Sequence, residues 1–146
     1  MADLQRILHI DDSEDDRLLF ERAFKASRLK AELLSFSNAF ETLIFLDQAG
    51  TRSGGDIPRL IVLDLTLPLV DGRHLLSHLR ANARYKRIPI VVLTGSNSRE
   101  DVEYCRDFEV ERYIIKPSTL AQLSELMPSL EQWLGQGEVS SQPWRR

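Results

Sequence analysis

Apolar residues fall along this chain in two rhythms. Ile7-Leu8-His9-Ile10, Leu33-Leu34-Ser35-Phe36, Leu60-Ile61-Val62-Leu63, Ile88-Pro89-Ile90-Val91-Val92-Leu93 and Tyr113-Ile114-Ile115 are short apolar runs. They are too continuous to alternate and too short for helices, which is how strands of a parallel sheet, covered on both faces, read. Between them the apolar positions recur at helical spacing. A first helix is predicted over about Glu14 to Ser27, with Ser13 and Asp16 as a capping-box pair and Leu18, Leu19, Ala23 and Phe24 as its apolar set. A second follows Ser37 and Asn38, with Ala39, Phe40, Leu43 and Leu46 inward. A third covers about Arg73 to Asn82 through Leu75, Leu76 and Leu79, and a fourth starts at Ser98 with Asp101 and carries Val102, Cys105 and Phe108. The fifth runs from Leu120 through Leu123, Leu126, Met127, Leu130 and Trp133-Leu134, and Pro128 should interrupt it near Ser124 to Met127.

Five strands alternating with five helices predict a doubly wound α/β domain with a parallel sheet. The flavodoxin-like strand order 2-1-3-4-5 suits a chain of this length, with its ligand-binding switch point between strands 1 and 3. Residues 1–134 form this domain, and 135–146 read as a C-terminal tail. The Gly- and Ser-containing stretch Ala49 to Pro58 is the expected mobile loop.

Composition narrows the partners. The 146 residues are enough for one domain with a real core, and 42% hydrophobic with 28% charged residues is ordinary for a globular protein. A net charge of −3 offers no broad basic field, so nucleic acid and acidic lipid are not expected partners. No apolar run is long enough to span a bilayer, Met1 to Arg6 does not read as a signal peptide, and Cys105 is the only cysteine, so a cytoplasmic setting is expected.

The chemistry lies where the strands end. Strand 1 ends in Asp11-Asp12 and strand 3 in Asp64, so three carboxylates meet at the switch point, while Thr94 and Lys116 end strands 4 and 5 on the same rim. Carboxylates crowded together repel unless a cation sits among them, and hard oxygen ligands at low number suit Mg²⁺ sharing its shell with a phosphate. No Cys/His set with zinc spacing competes for that role. Lys116 supplies a point charge for a phosphoryl oxygen and Thr94 a hydroxyl donor. A carboxylate nucleophile, a divalent cation and such a clamp make a phosphoryl-transfer site, with an aspartyl phosphate on Asp64 as product. Any one of these residues alone would more often be a solvated loop residue; the conjunction points to function.

On these residues the sequence resembles the receiver domains of two-component response regulators. The resemblance rests on Asp11-Asp12, on Leu63-Asp64-Leu65-Thr66-Leu67-Pro68 with Asp71-Gly72, on Thr94, and on Tyr113 with Lys116-Pro117, and it spans about Arg6 to Trp133. It implies that Asp64 accepts a phosphoryl group from a sensor histidine kinase. It implies that Asp12, Asp64 and the backbone carbonyl of Thr66 hold Mg²⁺, with Asp11 acting mostly through water. Thr94 and Tyr113 would be the switch pair, Lys116 would contact the phosphate, and the Lys116-Pro117 bond would be cis. Tyr85-Lys86-Arg87-Ile88-Pro89, Val102-Glu103-Tyr104-Cys105 and the long loop before strand 3 look most like the single-domain regulators paired with phytochrome-type kinases. The chain departs from many receivers in carrying Phe108-Glu109-Val110-Glu111-Arg112 before the switch aromatic and Gly95 after Thr94, which gives the backbone freedom there.

Other residues invite plainer readings. His74 and His78 form a solvated helix face, His9 is a hydrogen-bonded core histidine, and Cys105 is a packed thiol. Trp133 and Trp144 are natural anchors for a homodimer formed through the far end of helix 5 and the tail. No output domain fits after residue 134, so the expected output is protein contact or onward transfer to a phosphotransfer protein, without substrate turnover. The competing readings are an aspartyl-nucleophile phosphatase of haloacid dehalogenase type, which wants a second Asp where Thr66 stands, and a receiver-like or flavodoxin-type binding module that accepts no phosphate.

Overall fold

A computed structural model describes residues 5–51 and 57–134. The strands are β1 (Arg6–Ile10), β2 (Glu32–Phe36), β3 (Leu60–Leu63), β4 (Ile90–Thr94) and β5 (Arg112–Ile115). The helices are α1 (Glu14–Ala26), α2 (Ala39–Thr51), α3 (Gly72–Ala81), α4 (Arg99–Asp107) and α5 (Leu120–Leu126), and a 3-10 segment, Met127–Trp133, follows α5 directly. The strands pair in parallel in the order β2-β1-β3-β4-β5, as the alternation of elements predicts.

Strand periodicity divides the core into two layers. Leu8, Ile10, Ile61, Leu63, Ile90 and Val92 face one way and pack with Ala39 and Leu46 of α2, Leu75, Leu76 and Leu79 of α3, and Cys105 of α4. Ile7, Leu60, Val62, Val91 and Leu93 face the other way and pack with Phe20, Ala23 and Phe24 of α1, Leu123 of α5, and Met127, Leu130 and Trp133. Successive residues of a strand point to opposite faces, so the central runs had to be apolar throughout.

The same ladder aims the functional side chains. Hydrogen bonding continues one residue past several strands: Asp11 N–H donates to the Phe36 carbonyl (3.0 Å), Asp64 N–H to the Ile10 carbonyl (2.9 Å), and Lys116 N–H to the Thr94 carbonyl (2.8 Å). Each bond pins the first residue beyond a strand to its neighbour, and so fixes the rim on which the acids and the lysine stand.

Three expectations from the sequence need correction here. Phe40 is 62% exposed. The helix turns about 100° per residue, so Ala39 takes the inward place together with Thr42, Leu46 and Ala49, and Phe40 faces out. Trp133 is only 3% exposed and belongs to the α1 and α5 side of the core, because the 3-10 segment lays Met127, Leu130 and Trp133 on one face. It is therefore a core residue and not an intermolecular anchor. The loop expected from Ala49 starts later, since α2 continues to Thr51; its residues 52–56 lie outside the described residues, as does the tail 135–146 with Trp144. Pro128 interrupts the last helix as expected: α5 ends at Leu126, and the proline sits at the start of the 3-10 segment, where its missing N–H costs little. No described helix is long and apolar enough to cross a membrane.

Candidate phosphoryl-transfer site

Asp11 and Asp64 are buried side by side at the ends of β1 and β3, and Asp12 beside them is exposed. One carboxylate oxygen from each of Asp11, Asp12 and Asp64 lies within 4.8 Å of the others. Asp11 is held by its surroundings: Oδ1 accepts from Ser13 N–H (2.9 Å), and its carbonyl accepts from Arg17 Nη1 (2.8 Å). Its other oxygen, Oδ2, is buried without an aligned hydrogen-bond donor, although Lys116 Nζ is 2.9 Å away. Burial pushes the Asp11 carboxyl above its ordinary value, against the pull of Lys116 and Ser13. An under-satisfied buried oxygen, with two further carboxylates at ligand spacing, is what a small hard cation would complete.

The two oxygens of Asp64 are divided between different partners. Oδ1 accepts from the Thr94 hydroxyl (2.8 Å) and from Thr66 N–H (3.1 Å). Oδ2 faces Lys116 Nζ at 2.8 Å. Thr94 is fully buried and Asp64 is 4% exposed, so the pair is fixed by packing. Thr66 stands on the exposed loop after β3. Lys116 reaches three carboxylates at once, with Asp16 of α1 at 2.6 Å as the third. Burial alone would lower the Lys116 ammonium, but the carboxylates of Asp16, Asp64 and Asp11 around it hold it above the ordinary lysine value. The Lys116-Pro117 peptide is trans, since no described peptide is cis. Trans is the lower-energy isomer, and with it the ammonium already meets Asp64, so the reach of Lys116 does not call for the cis bond that the resemblance implied.

A second network leads away from this centre. Ser96 N–H approaches Thr94 Oγ1 at 3.4 Å, and the Ser96 carbonyl accepts from the Tyr113 hydroxyl at 2.6 Å. The backbone of Ser96 therefore joins Thr94 to Tyr113, which is half-buried on β5. Ser96 Oγ donates to Asp101, the buried acid in the first turn of α4, and Arg73 of α3 pairs with both Asp101 and Asp71. The Tyr104 hydroxyl closes the circuit on the Arg73 carbonyl (2.8 Å). Gly95 has no steric role here: a Cβ on it would meet nothing within 4 Å, and its φ lies outside the left-handed region.

The structure thus brings together Asp11, Asp12, Asp64, Thr94 and Lys116, and places Tyr113 one turn of chain away. It adds residues the sequence reading missed. Asp16 was read only as a helix cap, and its N–H does bond Ser13 Oγ (3.2 Å), but its carboxylate turns to Lys116. Asp101 likewise is capped by Ser98 through its N–H, while its side chain binds Arg73 and Ser96. A capping pattern accounts for the backbone of such a residue and is silent about its carboxylate.

His9 beside the site also departs from expectation. It is buried and stacked on Phe20 (ring centroids 4.0 Å apart), and its Nδ1 has no hydrogen-bond partner, contrary to the expected satisfied histidine. The ring is held by stacking in place of hydrogen bonding. Burial first, then the nearby Lys116 and Arg17, pushes its pKa down to about 3. Below its ordinary value of 6.5 the unfolded chain takes up a proton that the folded chain refuses, so this group's contribution to stability is full above 6.5 and falls as the pH drops toward 3. Asp11, raised on folding, acts in the opposite sense just above 3.8. Comparing His9→Phe with the wild type cancels that opposing part. Between about pH 7 and pH 5 the wild type is expected to lose about 2 kcal/mol more stability than the variant in urea unfolding. Parallel curves would mean that His9 is charged or exposed in the native state. His74 and His78 are exposed on α3, and Cys105 is buried with its thiol pushed up to about 12 by burial, so neither the pair nor the thiol adds to the site.

Comparison with known proteins agrees with this geometry. The family model described as the response regulator receiver domain matches residues 7–127. The chain is 36% identical over 129 residues to the response regulator Rcp1 of Synechocystis sp., covering 88% of each protein. Among solved structures, the phosphorylated cyanobacterial phytochrome response regulator RcpA is similar at a TM-score of 0.81 and 31% identity, over 94% of this chain and 99% of that one. The Mn²⁺-bound form of Rcp1 is similar at a TM-score of 0.78 and 34% identity, over 92% of this chain and 98% of that one. With the strand order and the acidic rim already established, the chain belongs to the response regulator receiver domain family.

Proposed function

We propose that this protein is a phospho-accepting signalling module whose acceptor is Asp64. The observation that carries the reading is the division of the Asp64 carboxylate between a hydroxyl, Thr94, and an ammonium, Lys116, beside two further acids. A sensor histidine kinase supplies the phosphoryl group from a phosphohistidine. An Asp64 oxygen attacks phosphorus, the phosphorus–nitrogen bond breaks, and the imidazole leaves with its electron pair. Thr94 and Lys116 are placed to donate to the oxygens that arrive with phosphorus. Asp11, Asp12, Asp64 and the Thr66 carbonyl would hold Mg²⁺, which neutralises charge between the carboxylates and the phosphoryl group. The under-satisfied Asp11 Oδ2 supports a cation there, and Rcp1, a relative, has a Mn²⁺-bound form.

Thr94 and Tyr113 form the switch, with the Ser96 backbone between them as the movable part. A hydroxyl drawn from Asp64 to a phosphoryl oxygen pulls on that backbone and so on Tyr113. The likeness to RcpA supports a phytochrome-type kinase as the donor. Output runs through protein contacts, with a second copy of the chain or a phosphotransfer protein as recipient.

The test is mass spectrometry of the purified protein after acetyl phosphate and Mg²⁺. One labile phosphoryl adduct is expected, absent when EDTA is present from the start. No adduct with Mg²⁺, or an equal one under EDTA, would overturn the reading.

A further inference from the structure

Lys116 is surrounded by carboxylates before any phosphoryl group arrives, and its aligned hydrogen bond goes to Asp16. An ammonium has three N–H donors, and three carboxylates surround this one, at 2.8 Å for Asp64, 2.9 Å for Asp11 and 2.6 Å for Asp16. The shortest contact is to a residue that the phosphoryl-transfer chemistry above does not use. Asp16 reaches Lys116 across 100 residues of sequence, and its position is fixed by the start of α1, where its N–H bonds the Ser13 hydroxyl at 3.2 Å. Negative charge is favoured in that first turn by the helix dipole, which suits the Asp16 carboxylate to its place as a rival for the ammonium.

A phosphoryl group on Asp64 adds acceptor oxygens beside Oδ2, and the Lys116 donor now aligned on Asp16 is drawn toward them. Asp11 Oδ2 is buried with the Lys116 ammonium as the charge beside it, so parting the two is costly. Asp16 has a side chain 38% exposed, so its carboxylate can turn to water at little cost. The contact to Asp16 is therefore the one that opens.

We propose that Asp16 is a positioning residue for phosphoryl transfer: it tethers Lys116 in the unphosphorylated site and competes with the incoming phosphoryl group for the ammonium. The inference rests on Asp64 being the acceptor. Asp16 then sets the rate at which the site accepts phosphate, through Lys116 and not through contact with the substrate.

The experiment follows the initial rate of adduct formation from acetyl phosphate with Mg²⁺ in wild type, Asp16→Asn, Asp16→Glu, Lys116→Met and the double variant Asp16→Asn/Lys116→Met. Asparagine keeps the shape and the capped N–H but weakens the hold on the ammonium. Asp16→Asn is expected to accelerate labelling about fivefold, which is what an exposed ion pair near the top of its usual range is worth. Asp16→Glu should return the rate to the wild-type value. In the Lys116→Met background, Asp16→Asn should change nothing, because the residue acts only through that lysine. A purely structural Asp16 would alter the urea midpoint and leave the rate unmoved, which overturns the inference. So does an acceleration that persists without Lys116, since it would reflect charge repulsion of the anionic donor alone. Absence of labelling in the wild type removes the phospho-acceptor reading itself, and is distinguishable because it appears before any Asp16 variant is compared.

Discussion

Asp64→Asn is expected to eliminate the phosphoryl adduct completely while leaving the fold within about 1 kcal/mol of wild type, a change no larger than an ordinary tolerated substitution makes. The loss follows from removing the nucleophile: an amide oxygen does not form a stable acyl phosphate. The small effect on stability follows from what remains. The asparagine Oδ1 still accepts from the Thr94 hydroxyl and Thr66 N–H, and Lys116 keeps Asp11 and Asp16. The lost ion pair with Lys116 is offset by relief of repulsion among Asp11, Asp12 and the former Asp64, whose oxygens lie within 4.8 Å of one another. Urea unfolding and mass spectrometry read the two halves separately. A variant that unfolds early would show that Asp64 holds the fold together, and an adduct equal to the wild type would mean that another carboxylate, or a histidine, takes the phosphate.

That separation of folding from chemistry explains what could be read from the sequence. Strands such as Leu60–Leu63 had to be apolar at every position because both faces are covered, and so the sheet was legible without any structure. The rim was legible for the complementary reason. A charge that ends an apolar run has nowhere to go but the sheet's edge, which located Asp11, Asp64 and Lys116. Their contacts with one another did not follow from the pattern, since which carboxylate meets Lys116 is settled by how β1, β3 and α1 come together, not by spacing along the chain.

The misses have a common origin. Phe40 is a large apolar residue in a turn of α2 whose inward places go to Ala39 and Thr42, so size was a poorer guide than angle. Trp133 looked like an anchor because it is a large aromatic at the far end of the last helix, yet the 3-10 segment carries it back onto the sheet. His9 sits on a strand whose two faces are both buried, and burial was legible, but the absence of a partner for Nδ1 depends on Phe20 reaching it from α1. For Trp133 and His9 the local rule was sound, and the deciding contact came from an element distant in sequence.

Gly72 extends the same lesson to the backbone, and its replacement by alanine should cost both stability and reactivity. The pair Asp71-Gly72 reads in the sequence as a turn signal. In the structure the left-handed residue of that loop is Leu69, with φ 64°, and Gly72 begins α3 with its N–H bonded to the Leu65 carbonyl at 2.9 Å. Glycine is needed there for closeness. A Cβ at Gly72 would press against the Asp64 carbonyl oxygen, and would lie 2.6 Å from Leu65 Cα and 2.8 Å from the Leu65 carbonyl oxygen. All are backbone atoms, so no side chain can move aside, and the segment that carries Asp64 must shift. Overpacking of this kind costs about 3 kcal/mol, against which the better helix propensity of alanine returns about 1 kcal/mol. Gly72→Ala is therefore expected to lower stability by about 2 kcal/mol, and to slow labelling of Asp64, because the strain falls on its own peptide. Gly95→Ala is the internal control, since the added Cβ meets nothing within 4 Å and the backbone is not left-handed; it should change stability by less than about 0.5 kcal/mol. Equal urea midpoints for the two variants would show that α3 can back away from the Asp64 loop, and that the close approach is not what positions the acceptor.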